Sequence, residues 1–266
     1  MRFGACIDTL YTEMDWYDRI GAAKEDGFDA VEFWDWRARD PERIAECASK
    51  AGITISGFNG DADYSLVDPS QKNAYLEYLH RSLETAMKLR APSVTIHSNA
   101  LGEGGIVICD YAHLSATVKL CSMLDTLRDS VKLAEKYAVV LHLEALNTLV
   151  DHRGNFLTTT QTAGEICRCV DSPYLKILYD VYHMQYNEGN LSGNIGKYAD
   201  IMGHVHIADV PGRHEPGTGE INYVHVLRRL RDCGYNGIVG CELFPACGTP
   251  KAVRAIMKLK AEVEAR

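Results

Sequence analysis

The amino-acid sequence predicts an α/β fold, a single (β/α)8 TIM barrel spanning residues 1–266. Short runs rich in β-branched residues alternate with longer amphipathic stretches along the whole chain, eight times over. Glycines stand between several of the helical stretches and the strands that follow, as left-handed helix caps require. No linker or shift of composition divides the units, and no glycine-rich phosphate fingerprint follows the first strand. A closed parallel barrel is therefore favoured over an open dinucleotide-binding sheet.

Strands are expected within residues 2–8, 30–36, 54–60, 93–99, 139–147, 175–182, 202–209 and 237–244. The first helix, 15–25, carries Trp16, Ile20 and Ala23 at helical spacing. Pro41 opens the second at a first-turn position, where its missing N–H costs nothing. Further helices are expected near 70–90, 114–137, 160–169, 191–198, 223–232 and 250–265. Gly27, Gly52 and Gly234 are the expected caps before strands two, three and eight.

Hydrophobic residues make up 46% of the chain and charged residues 24%, the balance of an ordinary globular protein with a substantial core. The formal charge of −8 argues against a nucleic-acid or anionic-membrane surface. No apolar run reaches the roughly 18 residues of a transmembrane helix. The opening MRFGACIDTLYTEMDWYD is interrupted by acids too early for a signal peptide. The nine cysteines are scattered, apart from Cys167 and Cys169, as free thiols in a reducing compartment would be; a cytoplasmic location is expected. Cys6 and Cys241 read as small buried hydrophobes. An amphipathic outer helix could support a homo-oligomer.

Active sites of such barrels lie at the C-terminal ends of the strands. There strand five presents Glu144, strand six Asp180 and then His183, strand seven His206 and then Asp209, and strand eight Glu242. Residues two apart share a strand face, so His142 lies below Glu144 and His204 below His206. Two Glu, one Asp and one His crowded at a barrel mouth repel one another or go unpaired unless a cation is held among them. This oxygen-rich set favours Mn²⁺ or Mg²⁺ and is compatible with Co²⁺ or Zn²⁺. Glu144 and Glu242 come from strands that are not neighbours and can flank a substrate as acid and base. His183, one helical turn beyond Asp180, is expected to hydrogen-bond a substrate oxygen. Arg213 offers a planar fork suited to a substrate carboxylate, with a surface salt bridge to Glu215 or Glu220 as the alternative. His97 lines the mouth as a further substrate-binding residue, and Asp209 orients His206 from behind. Glu32, inside strand two, is expected to be structural; Trp34, Trp36, Phe58 and Phe244, near strand ends, are expected to be core, with walling the pocket as the alternative. The stretch NALGEGG, 99–105, reads as a mobile loop over the site.

The pieces LHLEALN, LYDVYHMQ, HVHIADVPGRHEPGTGEINY and CELFP occur in that order on the last four strands. Together they resemble the xylose-isomerase-like barrel superfamily, in particular its hydroxypyruvate isomerase and ketose 3-epimerase branches. The resemblance implies metal ligation by Glu144, Asp180, His206 and Glu242, acid–base roles for the two glutamates, and substrate binding by His183 and Arg213. PGRHEPGTGEINY is most similar to hydroxypyruvate isomerases, which often carry Gln where this chain has His206; the epimerases have His there.

The expected reaction is a divalent-metal-dependent isomerisation of a small hydroxy-carbonyl substrate, a hydroxypyruvate-like acid or a sugar, by proton transfer through an enediolate. A ketose 3-epimerase or a sugar or inosose dehydratase would use the same groups. A DNA-repair endonuclease of related barrels needs further histidines at earlier strand ends, which TISGFNGD lacks at strand three, and the acidic charge counsels against DNA. A non-catalytic sugar-binding barrel would have no use for the acid–base pair. The expected partner is a small-molecule substrate, with no nucleic acid and no membrane.

Overall fold

A computed structural model describes residues 1–265. Eight parallel strands follow one another around a barrel: β1 (Arg2–Cys6), β2 (Ala30–Phe33), β3 (Thr54–Phe58), β4 (Ser93–Ile96), β5 (Val140–Glu144), β6 (Leu175–Asp180), β7 (Met202–His206) and β8 (Ile238–Cys241). β1 pairs with both β2 and β8, which closes the ring on that side. The seam between β3 and β4 is narrower. There Asn59 bridges Thr95, the Gly60 amide donates to the Thr95 carbonyl at 2.7 Å, and Ser93 Oγ donates to the Ser56 carbonyl at 2.8 Å. A Cβ on Gly57 would stand 2.9 Å from the Ser93 carbonyl oxygen, so the two backbones meet here only because residue 57 has none.

The helices are α1 (Asp18–Glu25), α2 (Pro41–Ala51), α3 (Lys72–Leu89), α4 (Ala116–Tyr137), α5 (Thr160–Val170), α6 (Val181–Asn187), α7 (Leu191–Tyr198), α8 (Tyr223–Asp232) and α9 (Thr249–Glu264). Several of their starts are set by local side chains. Asp40 accepts from the Glu42 and Arg43 amides ahead of α2, Ser115 from Val118 at α4, Thr159 from Thr162 at α5, and Asn222 from His225 at α8. Gly27, Gly52 and Gly234 take φ of +94°, +63° and +85° at the ends of α1, α2 and α8. α1 starts at Asp18, three residues later than its pattern suggests.

α6 is a larger departure, since 175–182 reads as one strand. The strand stops at Asp180 because that carboxylate accepts from the amides of Tyr182 (2.8 Å) and His183 (3.2 Å) and so begins a helix.

The pleat sorts the strand side chains into two sets. Phe3, Val31, Ile55, Val94, Leu141, Ile177, Val205 and Val239 face outward and are buried against the helices in one continuous core. The alternate set includes Glu32, Ser56, Thr95, His142 and His204, and it lines a small space inside the barrel. The nine cysteines are all free thiols. Among the described residues no helix is long and apolar enough to cross a membrane.

The Gly57 contact gives a direct test of the seam. Gly57→Ala should lower stability by about 1–3 kcal/mol, read as a lower urea midpoint with an unchanged slope.

Candidate active site

Glu144, Asp180 and His206 end β5, β6 and β7, and Glu242 follows β8; all four are buried and meet at the C-terminal mouth. His206 Nδ1 lies 3.8 Å from Glu144 Oε1, 3.9 Å from Asp180 Oδ2 and 3.4 Å from Glu242 Oε2. Glu144 Oε1 and His206 Nδ1 are buried without a hydrogen-bond partner, a condition native interiors rarely tolerate. Donors about 2.1 Å from a shared ion stand about 3–4 Å from each other, and the spacings around His206 match. The four groups fit a divalent cation.

His183 also has a ring nitrogen within 4.8 Å of the three carboxylates' oxygens, so the position of its proton decides its role. Asn147 Oδ1 accepts from the amides of Val150 and Asp151 (3.0 and 3.1 Å), which turns its Nδ2 toward His183 Nδ1 at 2.8 Å. The network therefore assigns the His183 proton to Nε2, the buried atom that faces Asp180 Oδ2 at 3.5 Å without a partner. Burial and the nearby Arg213 charge hold its pKa well below the ordinary imidazole range. A neutral ring with Nε2–H is a donor and not a ligand. His206 has the opposite arrangement: its Nε2 lies 3.1 Å from Glu32 Oε1, which leaves Nδ1 to face the acids. Burial opposes its protonation, but Glu32 and Glu242 raise its pKa well above the usual value, so proton and metal ion would compete for Nδ1.

The carboxylates differ in charge state. Burial would raise Glu144, yet His206 and His97 hold it well below the carboxylate range. Burial is likewise outweighed at Glu242 by Arg213 and His206, and its pKa is lowered. At Asp180 burial prevails over Arg213 and pushes the group up to about 7. The two glutamates are the persistent anions.

The surroundings depart from the sequence expectations at several points. His97 lines the mouth, but both ring nitrogens face carboxylates: Nδ1 lies 2.9 Å from Asp61 Oδ1 and Nε2 3.1 Å from Glu144 Oε2. In place of the expected substrate contact, it braces Glu144. Arg213 reaches Glu242 Oε2 and lies 3.8 Å from Asp180 Oδ2, with its guanidinium over the Tyr182 ring. Asp209, expected behind His206, is elsewhere. Its Oδ1 accepts from the amides of Val210 and Ile221 and its Oδ2 from Gly217 and Gly219, so it ties down the loop that carries Arg213. The place behind His206 belongs to Glu32, which also meets His204 Nε2 at 2.8 Å. Trp34 is not simple core either, for its Nε1 donates to Glu242 Oε1 at 2.6 Å. The signal for Glu32 is present in the sequence: an acid on the inward parity of β2 needs a partner, and the HVH of β7 supplies two. Asp61 carries no comparable signal, because a loop residue has no face to be read.

Burial works against charging His97, but Asp61 and Glu144 raise its pKa to about 10, compared with about 6.5 in an unfolded chain. The folded state therefore holds a proton that the unfolded state loses between these values. This contribution to stability is complete below about pH 6.5 and is lost as the pH rises to about 10. Asp61→Asn should cost about 1–3 kcal/mol at pH 6 and markedly less at pH 10, measured by urea unfolding in chelator.

The family model described as a xylose isomerase-like TIM barrel matches residues 20–261. Hydroxypyruvate isomerase of Escherichia coli K12 is 30% identical over 265 residues, covering 96% of this chain and 97% of that protein. A solved structure described as AP endonuclease, family 2, from Brucella melitensis superposes with a TM-score of 0.87 at 26% identity, covering 97% of this chain and 98% of that one. D-Psicose 3-epimerase from Clostridium cellulolyticum H10, solved with D-tagatose, superposes with a TM-score of 0.85 at 23% identity over 100% of both chains, a likeness of fold. With strand order, closure and the family match in agreement, the chain belongs to the xylose isomerase-like TIM barrel family.

Proposed function

We propose that this protein is a divalent-metal-dependent isomerase of small α-hydroxy carbonyl compounds, working by proton transfer through an enediolate. One observation carries the reading: two buried glutamates, Glu144 and Glu242, face a common point from β5 and from beyond β8, with the unpartnered His206 Nδ1 3.8 and 3.4 Å from them. The relative named hydroxypyruvate isomerase supports the reaction class.

Glu144, Asp180, His206 and Glu242 would hold the ion, and three carboxylates with one imidazole favour Mn²⁺ or Mg²⁺. When bound, such an ion supplies Lewis-acid polarisation of a carbonyl and stabilises negative charge on oxygen. The protein supplies the rest. Glu144 is held through Oε2 by His97 and keeps Oε1 for the substrate side, whereas Glu242 is held through Oε1 by Trp34 and meets Arg213 through Oε2, so the substrate oxygen would share that guanidinium. One of them removes the C–H proton next to the carbonyl and the other returns a proton at the former carbonyl carbon, while the hydroxyl proton passes from the oxygen that becomes the new carbonyl to the oxygen that becomes the new hydroxyl. His183 Nε2–H donates to a substrate oxygen, and Arg213 steadies the charge that develops there. The placement of the two glutamates across the cluster also suits a second reading, an epimerase, in which the proton returns to the same carbon from the opposite face.

Proton NMR in D₂O distinguishes these. With Mn²⁺-loaded protein removed before recording, an isomerase moves the carbonyl and loses a carbon-bound proton signal, whereas an epimerase gives the diastereomer; chelator should abolish either. Glu144→Gln and Glu242→Gln should each lower kcat by about 10²–10⁴-fold with the fold retained by circular dichroism. No exchange by a confirmed metal-loaded protein over acids and sugars would defeat the proposal.

Glu32→Gln tests the support behind His206 separately. Mn²⁺ affinity by calorimetry should fall by about 10–100-fold, and unchanged affinity would reduce Glu32 to a packing role.

A further inference from the structure

The cavity above the carboxylate cluster has a volume of about 840 Å³, a size at which pockets enclose drug-sized ligands. A three-carbon acid would leave most of it to water. Its charge is one-sided as well. Among the described residues that line it, Arg37 and Arg213 are the only guanidinium or ammonium groups. Arg37 is already held between Asp63 (2.9 Å) and Asp35 (3.0 Å), and Arg213 by Glu242 and Asp180. Asp151 accepts only from neutral donors, Asn147 Nδ2 at 2.8 Å and Tyr182 Oη at 2.9 Å. The loop after β4, residues 99–109, brings Leu101, Glu103 and Ile108 to the cavity and contains no Lys or Arg.

These charges can be balanced. A divalent ion and Arg213 together match Glu144, Asp180 and Glu242, and the His97 imidazole is already shared between Asp61 and Glu144, which leaves no surplus cation at the centre for a substrate carboxylate. Further out, Asp35, Asp63, Glu103 and Asp151 stand against Arg37 alone. An acid bound there would give up its hydration without gaining a partner. Sugar hydroxyls, in contrast, can donate to those same carboxylates. Their C–H faces can lie on Trp34 and Phe244, whose ring centroids are 6.3 Å apart, and on Ile108 and Val150 at the rim.

We propose that the acidic outer wall and the cation-free loop after β4 make this site select uncharged polyhydroxy carbonyl compounds of about hexose size and disfavour α-keto acids such as the hydroxypyruvate for which a relative is named. The proposal rests on the isomerase reading of the same centre, but its test does not depend on turnover.

Calorimetry on the Mn²⁺-loaded protein would compare hexitols such as sorbitol with aldonates of equal length such as gluconate. The D₂O exchange assay would compare ketohexoses with 2-ketogluconate and hydroxypyruvate. The uncharged member of each pair should bind at least about tenfold tighter at low salt. The gap should narrow as the Debye length falls from about 30 Å to about 8 Å between 0.01 and 0.15 M salt. Glu103→Lys should shift the ratio several-fold toward acids. Tighter binding of the acids, or a ratio indifferent to salt and to Glu103→Lys, would overturn the proposal. Preferential exchange of hydroxypyruvate would sink it and leave the isomerase reading standing. Selective binding of the uncharged compounds with no exchange of any would do the reverse.

Discussion

Three carboxylates, Glu144, Asp180 and Glu242, meet where little water reaches them, and most of what surrounds them offsets that concentration of charge. Removing one such group from water costs several kcal/mol unless partners replace the lost hydration. Each carboxylate meets the requirement in the same way, by dividing its two oxygens. Glu144 gives Oε2 to His97, Asp180 gives Oδ1 to two helix amides, and Glu242 gives Oε1 to Trp34. The other oxygen of each is turned toward His206 Nδ1, and that of Glu242 also meets Arg213. The supporting contacts therefore hold the inward oxygens in place before any ligand arrives, which is the arrangement a preorganised site needs.

That arrangement is stacked on a second polar layer. Glu32 sits beneath the mouth between His204 and His206, and His204 stacks on His142 with ring centroids 5.6 Å apart and planes 13° from parallel. Burial and the neighbouring imidazoles keep His142 well below its usual pKa, so the stack does not collect positive charge on that ring. Gly240 makes the layer possible, since a Cβ there would occupy the space of Glu32 Oε1 and the His206 ring. Barrel interiors are usually filled by branched apolar side chains. Here the apolar packing lies almost wholly between the strands and the helices, and the interior is given to groups that orient the mouth.

The loop between β7 and α8 shows how a residue outside the reacting cluster shapes it. Asp209 gathers four backbone amides around one buried carboxylate, and Arg213 projects from the loop so formed. The guanidinium reaches Glu242 and Asp180 because the loop's path is set by those bonds. Asp209 thus acts on the site through the backbone, at a distance from His206.

Much of this could be read from local pattern. A period-two alternation of polar and apolar residues is a property of neighbouring residues, so the strands, their inward faces and the convergence of Glu144, Asp180, His206 and Glu242 followed once a closed barrel was assumed. His183 was legible for a different local reason, its spacing of one helical turn beyond Asp180. The partners behind those residues were not. Glu32 and His204 are 172 positions apart, and Trp34 and Glu242 are 208 apart, so only closure of the barrel brings them together. Asp61, Asn147 and Asp209 lie in loops that lack a periodic face, and their roles depend on which amides and rings the folded chain places within reach. The sequence by itself determined which groups arrive at the mouth, because strand periodicity is local. The tertiary structure alone decided which oxygen, which nitrogen and which proton each presents, because hydrogen bonds between distant elements make that choice.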